Sequence, residues 1–245
     1  NNLIFATNFT YINNNKENLY DNDFSRFRFK IESAGNLLWA FSQLSSAQKD
    51  ENGEYSVVGV NFSQYIKTEV DYIKHWDWGN KNIFAVRAFG GIAIPYGNAN
   101  SIPFTRSFFA GGPNDNRAWQ AYDLGPGSTG GRNEFNEANM KLAFNAEYRY
   151  NLFGSLNSAF FIDVGNIWNV QDVVTDPAAT FTSFSDLRDI AIGSGAGLRY
   201  DFNFFVLRFD VGLKTYDPEQ EIGNRWFRDY NFNNAVYNVG INYPF

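Results

Sequence analysis

The sequence reads as all-β, specifically an antiparallel β-barrel whose strands cross a membrane, and three observations carry that reading. Apolar and polar residues alternate with period two in segments close to the roughly 9–11 residues of a tilted membrane strand. The connections between these segments alternate between short polar turns and long loops, which is the two-rim pattern of a bacterial outer-membrane barrel. The composition suits strands, with 26 Phe, 14 Tyr and 6 Trp, and 21 Gly to punctuate them.

Taken in order, "NNLIFATNFTYI" opens the chain with strand character, so the sequence is expected to start inside a sheet, with no signal peptide, as a fragment of something longer. In "FSRFRFKIES", Phe27, Phe29 and Ile31 alternate with Arg26, Arg28, Lys30 and Glu32. "YIKTEVDYIK" sets Lys67, Glu69 and Asp71 against Ile66, Val70 and Tyr72, and "NIFAVRAFGGIA" turns Arg87 to the polar side. "KLAFNAEYRY" puts Lys141, Asn145, Glu147 and Arg149 on one face and Leu142, Phe144, Ala146 and Tyr148 on the other. "AFFIDVGNIW" places Asp163 opposite in sense to Ile162 and Val164. "IGSGAGLRYDF" aligns Gly193, Gly195, Gly197, Arg199 and Asp201, and "FVLRFDVGLK" aligns Arg208, Asp210 and Lys214. The last segment, "VYNVGINYPF", is expected to send Tyr237, Val239, Ile241, Tyr243 and Phe245 outward.

These segments amount to about nine strands. "HWDWGNKN", "NLFGSL" and "DFNF" are the short turns; residues 35–62, 95–137, 167–190 and 215–233 are the long loops. Short turns belong to the periplasmic rim and long loops to the extracellular one, so the C-terminus is expected on the periplasmic side and the first residue on the extracellular side. A soluble β-sandwich or lipocalin-like barrel would need apolar inward rows and polar outward ones; the long charged rows and the loop asymmetry favour the membrane.

Composition also excludes function classes. A mean hydropathy of -0.37 is compatible with a barrel, in which only alternate residues face lipid. No run approaches the roughly 20 apolar residues of a membrane helix. With no Cys there is no disulfide framework or thiolate metal site, and a single His, His75, argues against His-based zinc or triad chemistry. A net charge of -6 argues against nucleic acid as a partner. Gly125, Gly127 and Gly130 fit G-x-G-x-x-G without the surrounding βαβ unit that a dinucleotide site needs. His75, which shares the segment "KHWDWGN" with two tryptophans, reads as part of an interfacial aromatic girdle. Neither enzyme activity nor a cofactor or metal is expected.

Two sets of motifs carry a narrower resemblance. "NVGINYPF" resembles the C-terminal β-signal by which outer-membrane barrels are handed to the assembly machinery, with Asn238, Gly240, Tyr243 and Phe245 at its positions. "FFAGGPNDNRAWQAYDLGPG", "FFIDVGNIW" and "GAGLRYDFNFFVLRFDVG" together resemble the closing portion of the BamA/TamA superfamily of outer-membrane assembly and translocation barrels. The lead-in "PYGNANSIPFTRSFFAGG" and the exit "LGPG" are most similar to the TamA-like lipoprotein branch of Bacteroidetes. The resemblance covers nearly the whole chain. It implies a barrel of about sixteen strands, closed by pairing first with last, of which this chain is the C-terminal part. The remaining strands and periplasmic domains would precede Asn1.

The resemblance also assigns residues. The 95–137 loop matches the sixth extracellular loop, which folds back into the lumen; Arg117, Ala118 and Trp119 form its tip, and Arg117 is implied to meet Glu147 and Asp163. Ala118 departs from the glycine usual at that place. The implied function is non-covalent assembly or translocation of proteins through a weak lateral seam at the last strand. Gly240 and Pro244 would weaken its pairing. Implied partners are outer-membrane lipids and lipopolysaccharide, unfolded outer-membrane protein clients, and a periplasmic or inner-membrane protein reached through the missing N-terminal domains. Two alternatives stand beside this one: a passive porin or substrate-specific channel, and a barrel that carries a secreted hydrolase.

Overall fold

A computed structural model describes residues 2–18, 21–45, 47–50 and 53–245. Asn1, residues 19 and 20, and residues 46, 51 and 52 of the 35–62 loop lie outside them. The chain begins with β1 (Ala6–Asn14) and β2 (Ser25–Ala34), followed by a helix, α1 (Asn36–Leu44), and a small hairpin of β3 (Ser56–Val57) and β4 (Val60–Asn61). β5 (Tyr65–Asp77), β6 (Ile83–Pro95), β7 (Met140–Phe153), β8 (Leu156–Trp168), β9 (Ala191–Asp201), β10 (Val206–Tyr216) and β11 (Val236–Ile241) complete it. Apart from the β3–β4 hairpin, the strands form one nine-stranded antiparallel sheet in chain order, with β1 and β11 at its edges. Every connection within it is therefore a hairpin, the expected up-and-down topology.

Register follows the alternation. Phe29 stands opposite Val70, Lys30 opposite Glu69, and Asn145 opposite Asp163. The polar rows of β7 to β10 are buried on the inner, concave side, whereas Phe144, Phe160, Ile162, Leu198 and Phe209 on the outer side are exposed. A soluble sandwich would bury the second set and expose the first; a bilayer accounts for an aromatic outer face. The apolar core likewise lies inside the curl. There Phe108, Ala110, Ala118, Trp119 and Leu124 of the β6–β7 loop meet the small or branched wall residues Ala93, Ile167 and Ala191.

Three expectations need correction. "HWDWGNKN" is not all turn: His75, Trp76 and Asp77 continue β5, paired to Ala85, Phe84 and Ile83. Odd-numbered positions of β5 point inward, so His75 is buried against Phe24, with ring centroids 4.3 Å apart, rather than sitting in the girdle. Trp76 and Trp78 supply the outward stack, at 5.7 and 5.5 Å from Phe84. Tyr243 and Phe245 do not point outward either. Asn242 adopts a left-handed φ of 64°, which ends the extended backbone after Ile241 and with it the period-two alternation. The tail turns inward, bringing the Arg149 guanidinium 4.2 Å from the Tyr243 ring and 5.6 Å from that of Phe245.

Ile162 lies mid-strand on the outer face of β8. Ile162→Arg is expected to destabilise the folded protein in bilayers by about 2–4 kcal/mol, the cost of a cation at the lipid midplane. Urea unfolding in phospholipid vesicles measures it, and an unchanged midpoint would contradict a lipid-facing Ile162.

Candidate functional site

Residues 96–139 connect β6 to β7 and, despite their length, are held at the base, along their course and at the tip. Backbone hydrogen bonds pair Phe108 with Ala138 at the loop's base and Tyr122 N–H with the Ala110 carbonyl nearer its tip. Inward side chains of successive strands donate to its backbone: Lys67 of β5 to the Arg106 carbonyl at 2.7 Å and Arg87 of β6 to that of Asn114 at 3.3 Å. From β7, Lys141 donates to Phe109 and Asn145 to Asp115, each at 2.7 Å, and from β8 Asn166 donates to Gly127 at 2.7 Å. These five loop carbonyls thus gain donors from the wall.

At the tip, Arg117 is buried and its guanidinium forks onto Asp163, Nε to Oδ2 at 2.8 Å and Nη2 to Oδ1 at 2.9 Å. Its backbone N–H also donates to Asp163 at 3.0 Å, and Nη1 donates to Glu147 Oε2. The guanidinium lies over the Phe161 ring, with Cζ 3.5 Å from its centroid. The structure thus brings together Arg117, Glu147 and Asp163, the three residues that the resemblance grouped. Glu147 and Asp163 occupy diagonal inner positions of paired strands, Glu147 facing Phe161 and Asp163 facing Asn145. With both carboxylates bound to one guanidinium, neither is poised as an acid or base toward a substrate. Among the described residues, no group of three or more His, Cys, Asp or Glu is arranged for a metal ion.

The cluster is larger than those three. Asp210 of β10 stands 3.7 Å from Arg117 and 2.7 Å from Arg199 of β9, and Arg199 reaches Glu147 at 3.2 Å. Arg149 binds the other oxygen of Glu147 at 2.8 Å, and Arg208 lies 3.4 Å from Asp210 while donating to the Asn114 side chain at 2.8 Å. Arg199 and Arg208 sit directly across from each other in the ladder, a like-charge pairing that is unfavourable alone and tolerable here because Asp210 lies between them. The sequence placed Asp210, Arg149, Arg199 and Arg208 on inner faces, but nothing in it indicated that they gather round the tip of the β6–β7 loop.

Close approach of the tip requires glycine in the wall. A Cβ on Gly193 would stand 2.7 Å from that of Ala118, and one on Gly212 would overlap the Arg117 carbonyl. Ala118, the departure from the usual glycine, is therefore accommodated: its methyl occupies the space that Gly193 leaves, and it is fully buried. Trp119 is buried beside it, under the Lys214 ammonium at 5.1 Å.

The last strand is tied to the same tip. Asn238 Nδ2 donates to the Arg117 carbonyl at 2.9 Å from a buried position on β11. Gly240, two residues on, lies beneath the Arg208 guanidinium, where a Cβ would meet Nη2 at 2.5 Å. Tyr243 and Phe245 cap Arg149. Of the four positions that resemble the β-signal, Asn238 and Gly240 thus meet the loop-tip cluster from the strand and the two aromatics meet it from the inturned tail.

A family model described as the Omp85 superfamily domain matches residues 2–233. Among solved structures, the crystal structure of BamA from Haemophilus ducreyi lacking POTRA domains 1-3 is similar, with a TM-score of 0.61 at 12% identity over 96% of this chain. The match covers 41% of that chain, so this sequence spans less than half its length, and at such identity the likeness is one of fold.

Removing Arg117 would leave Glu147 and Asp163 buried together without their shared cation. Arg117→Ala is expected to cost roughly 3–5 kcal/mol, the usual penalty for breaking a buried pair from one side. Limited proteolysis should then cut within residues 96–139 while circular dichroism shows unchanged strand content. Arg117→Lys, which keeps the charge without the planar fork, should fall between the two.

Proposed function

The chain belongs to the Omp85 superfamily, and on that premise we propose that it is the C-terminal part of a bacterial outer-membrane barrel that assembles or translocates other proteins. It acts non-covalently, at a lateral seam along its last strand, while the β6–β7 loop stays locked in the lumen. The C-terminal end lies at the periplasmic rim, with the short turns. Lipids of the outer membrane, lipopolysaccharide and unfolded outer-membrane proteins are its partners, together with a periplasmic or inner-membrane protein reached through segments outside this chain. The motifs around the β6–β7 loop favour the TamA-like lipoprotein branch of Bacteroidetes.

The observation that supports this reading most directly is the state of β11. It is the shortest strand of the nine, six residues, and it stops where Asn242 turns left-handed. Few ladder hydrogen bonds are then available on its free side, so a seam there is inexpensive to open and its backbone can template an incoming strand. The Asn238 tie to Arg117 gives that edge a fixed anchor on the plug. A lumen filled by the loop is poorly suited to a passive channel.

The test is insertion of a urea-unfolded barrel protein into liposomes carrying the full-length protein. Ile241→Cys, paired with a cysteine on the strand that closes against β11, should reduce insertion to the level of empty liposomes, with recovery on reduction. Ile241 is the better site because its side chain is exposed, whereas any side chain at Gly240 would strike Arg208. Undiminished insertion by the oxidised protein would overturn the seam. High single-channel conductance without insertion would favour the channel instead.

A further inference from the structure

The helix α1 has no evident reason to exist in water. It is nine residues long and buries only Ser42. Isolated helices of that length are marginal, and helices in proteins persist chiefly because an apolar face is covered. Yet Leu37, Phe41 and Leu44, which share one face at i, i+4 and i+7, are 66%, 68% and 86% exposed. Three apolar side chains clustered on a rigid element are an interaction surface rather than scattered exposure.

What covers them is indicated by where the helix is held and by its charge. Asn36, its first residue, is pinned at the long-loop rim: Gln64 Nε2 and Tyr96 O–H each donate to its Oδ1 at 2.9 Å, and its own Nδ2 donates to Ser33 Oγ at 2.7 Å. The helix therefore begins where β2 ends, continuous with the outward row Phe27, Phe29 and Ile31 that faces lipid. No charged residue occurs between Glu32 and Lys49, so the segment carries nothing that the interfacial region would reject. Trp39, half-exposed on the same helix, is the residue type most enriched at membrane–water boundaries.

We propose that α1 is an interfacial helix that rests on the membrane beside β2 and inserts Leu37, Phe41 and Leu44 among the lipid acyl chains of the leaflet at the long-loop rim. It anchors that rim at a fixed height and fixes the start of the loop that leads to β5. Gln43, on the opposite side of the helix from Phe41, faces water.

The chain contains no Cys, so one introduced cysteine gives one labelling position within it. The intact protein, in a cysteine-free background, carries Phe41→Cys or Gln43→Cys with an environment-sensitive fluorophore and is reconstituted in phosphatidylethanolamine–phosphatidylglycerol vesicles. Lipids bearing a nitroxide on the acyl chain should quench the label at position 41 several-fold more than that at 43, and aqueous iodide should show the reverse order. Leu44→Cys provides the same reading if the first variant does not fold. Equal iodide quenching at both positions would overturn the proposal in favour of a solvated helix. Shielding of position 41 from iodide and nitroxide lipid alike would overturn it in favour of a protein cover. Either outcome is independent of whether the barrel assembles other proteins.

Discussion

The path of the β6–β7 loop depends on one buried cation. Arg117 sits among Glu147, Asp163 and Asp210, and the arginines 149, 199 and 208 close round the same carboxylates. A single charge could not remain in so dry a place; four guanidinium groups interleaved with three carboxylates can, because each desolvated charge lies within 3.4 Å of an opposite one. Such an arrangement stabilises position more than it stabilises folding. The donors from β5 to β8 hold the rest of the loop in line with the tip.

The same cluster joins the strand that the proposed function would need to move to the loop that it leaves locked. The edge strand β11 reaches the loop tip through Asn238, and the tail beyond it reaches Arg149, which also holds Glu147. Displacing β11 would therefore remove a donor from the Arg117 carbonyl and an aromatic cover from a cation in the network that seats Arg117. This coupling is physical contact between two elements and needs no longer pathway.

Much of this was readable in advance, and the limits of that reading follow from the chemistry of the chain. Glu147 and Asp163 could be assigned to inner faces because direction along an extended strand is a local property. Asp210 and Arg199 could be assigned a face by the same rule but not a partner, since Asp210 meets Arg117 of the distant loop and Arg199 meets Glu147 across an intervening strand. Tyr243 and Phe245 were misjudged because the rule holds only while the backbone stays extended, and Asn242 breaks it. His75 was misjudged because two adjacent tryptophans suggested a rim, although its own odd-numbered position already pointed inward. The role of Asn238 as an anchor for the loop left no sequence signal beyond its place on the polar face.

Alternation and turn spacing were enough to define nine strands, their order, and the polar and apolar side of nearly every one, because each of these rests on neighbours a few residues apart. Motif resemblance added the loop arginine and its first two partners. The seat of the loop tip, the fit of Ala118 over Gly193 and the tie from β11 to Arg117 were decided only in three dimensions. Each depends on contacts between residues tens of positions apart, such as Asn238 with Arg117 and Arg208 with Asn114, which local pattern does not encode.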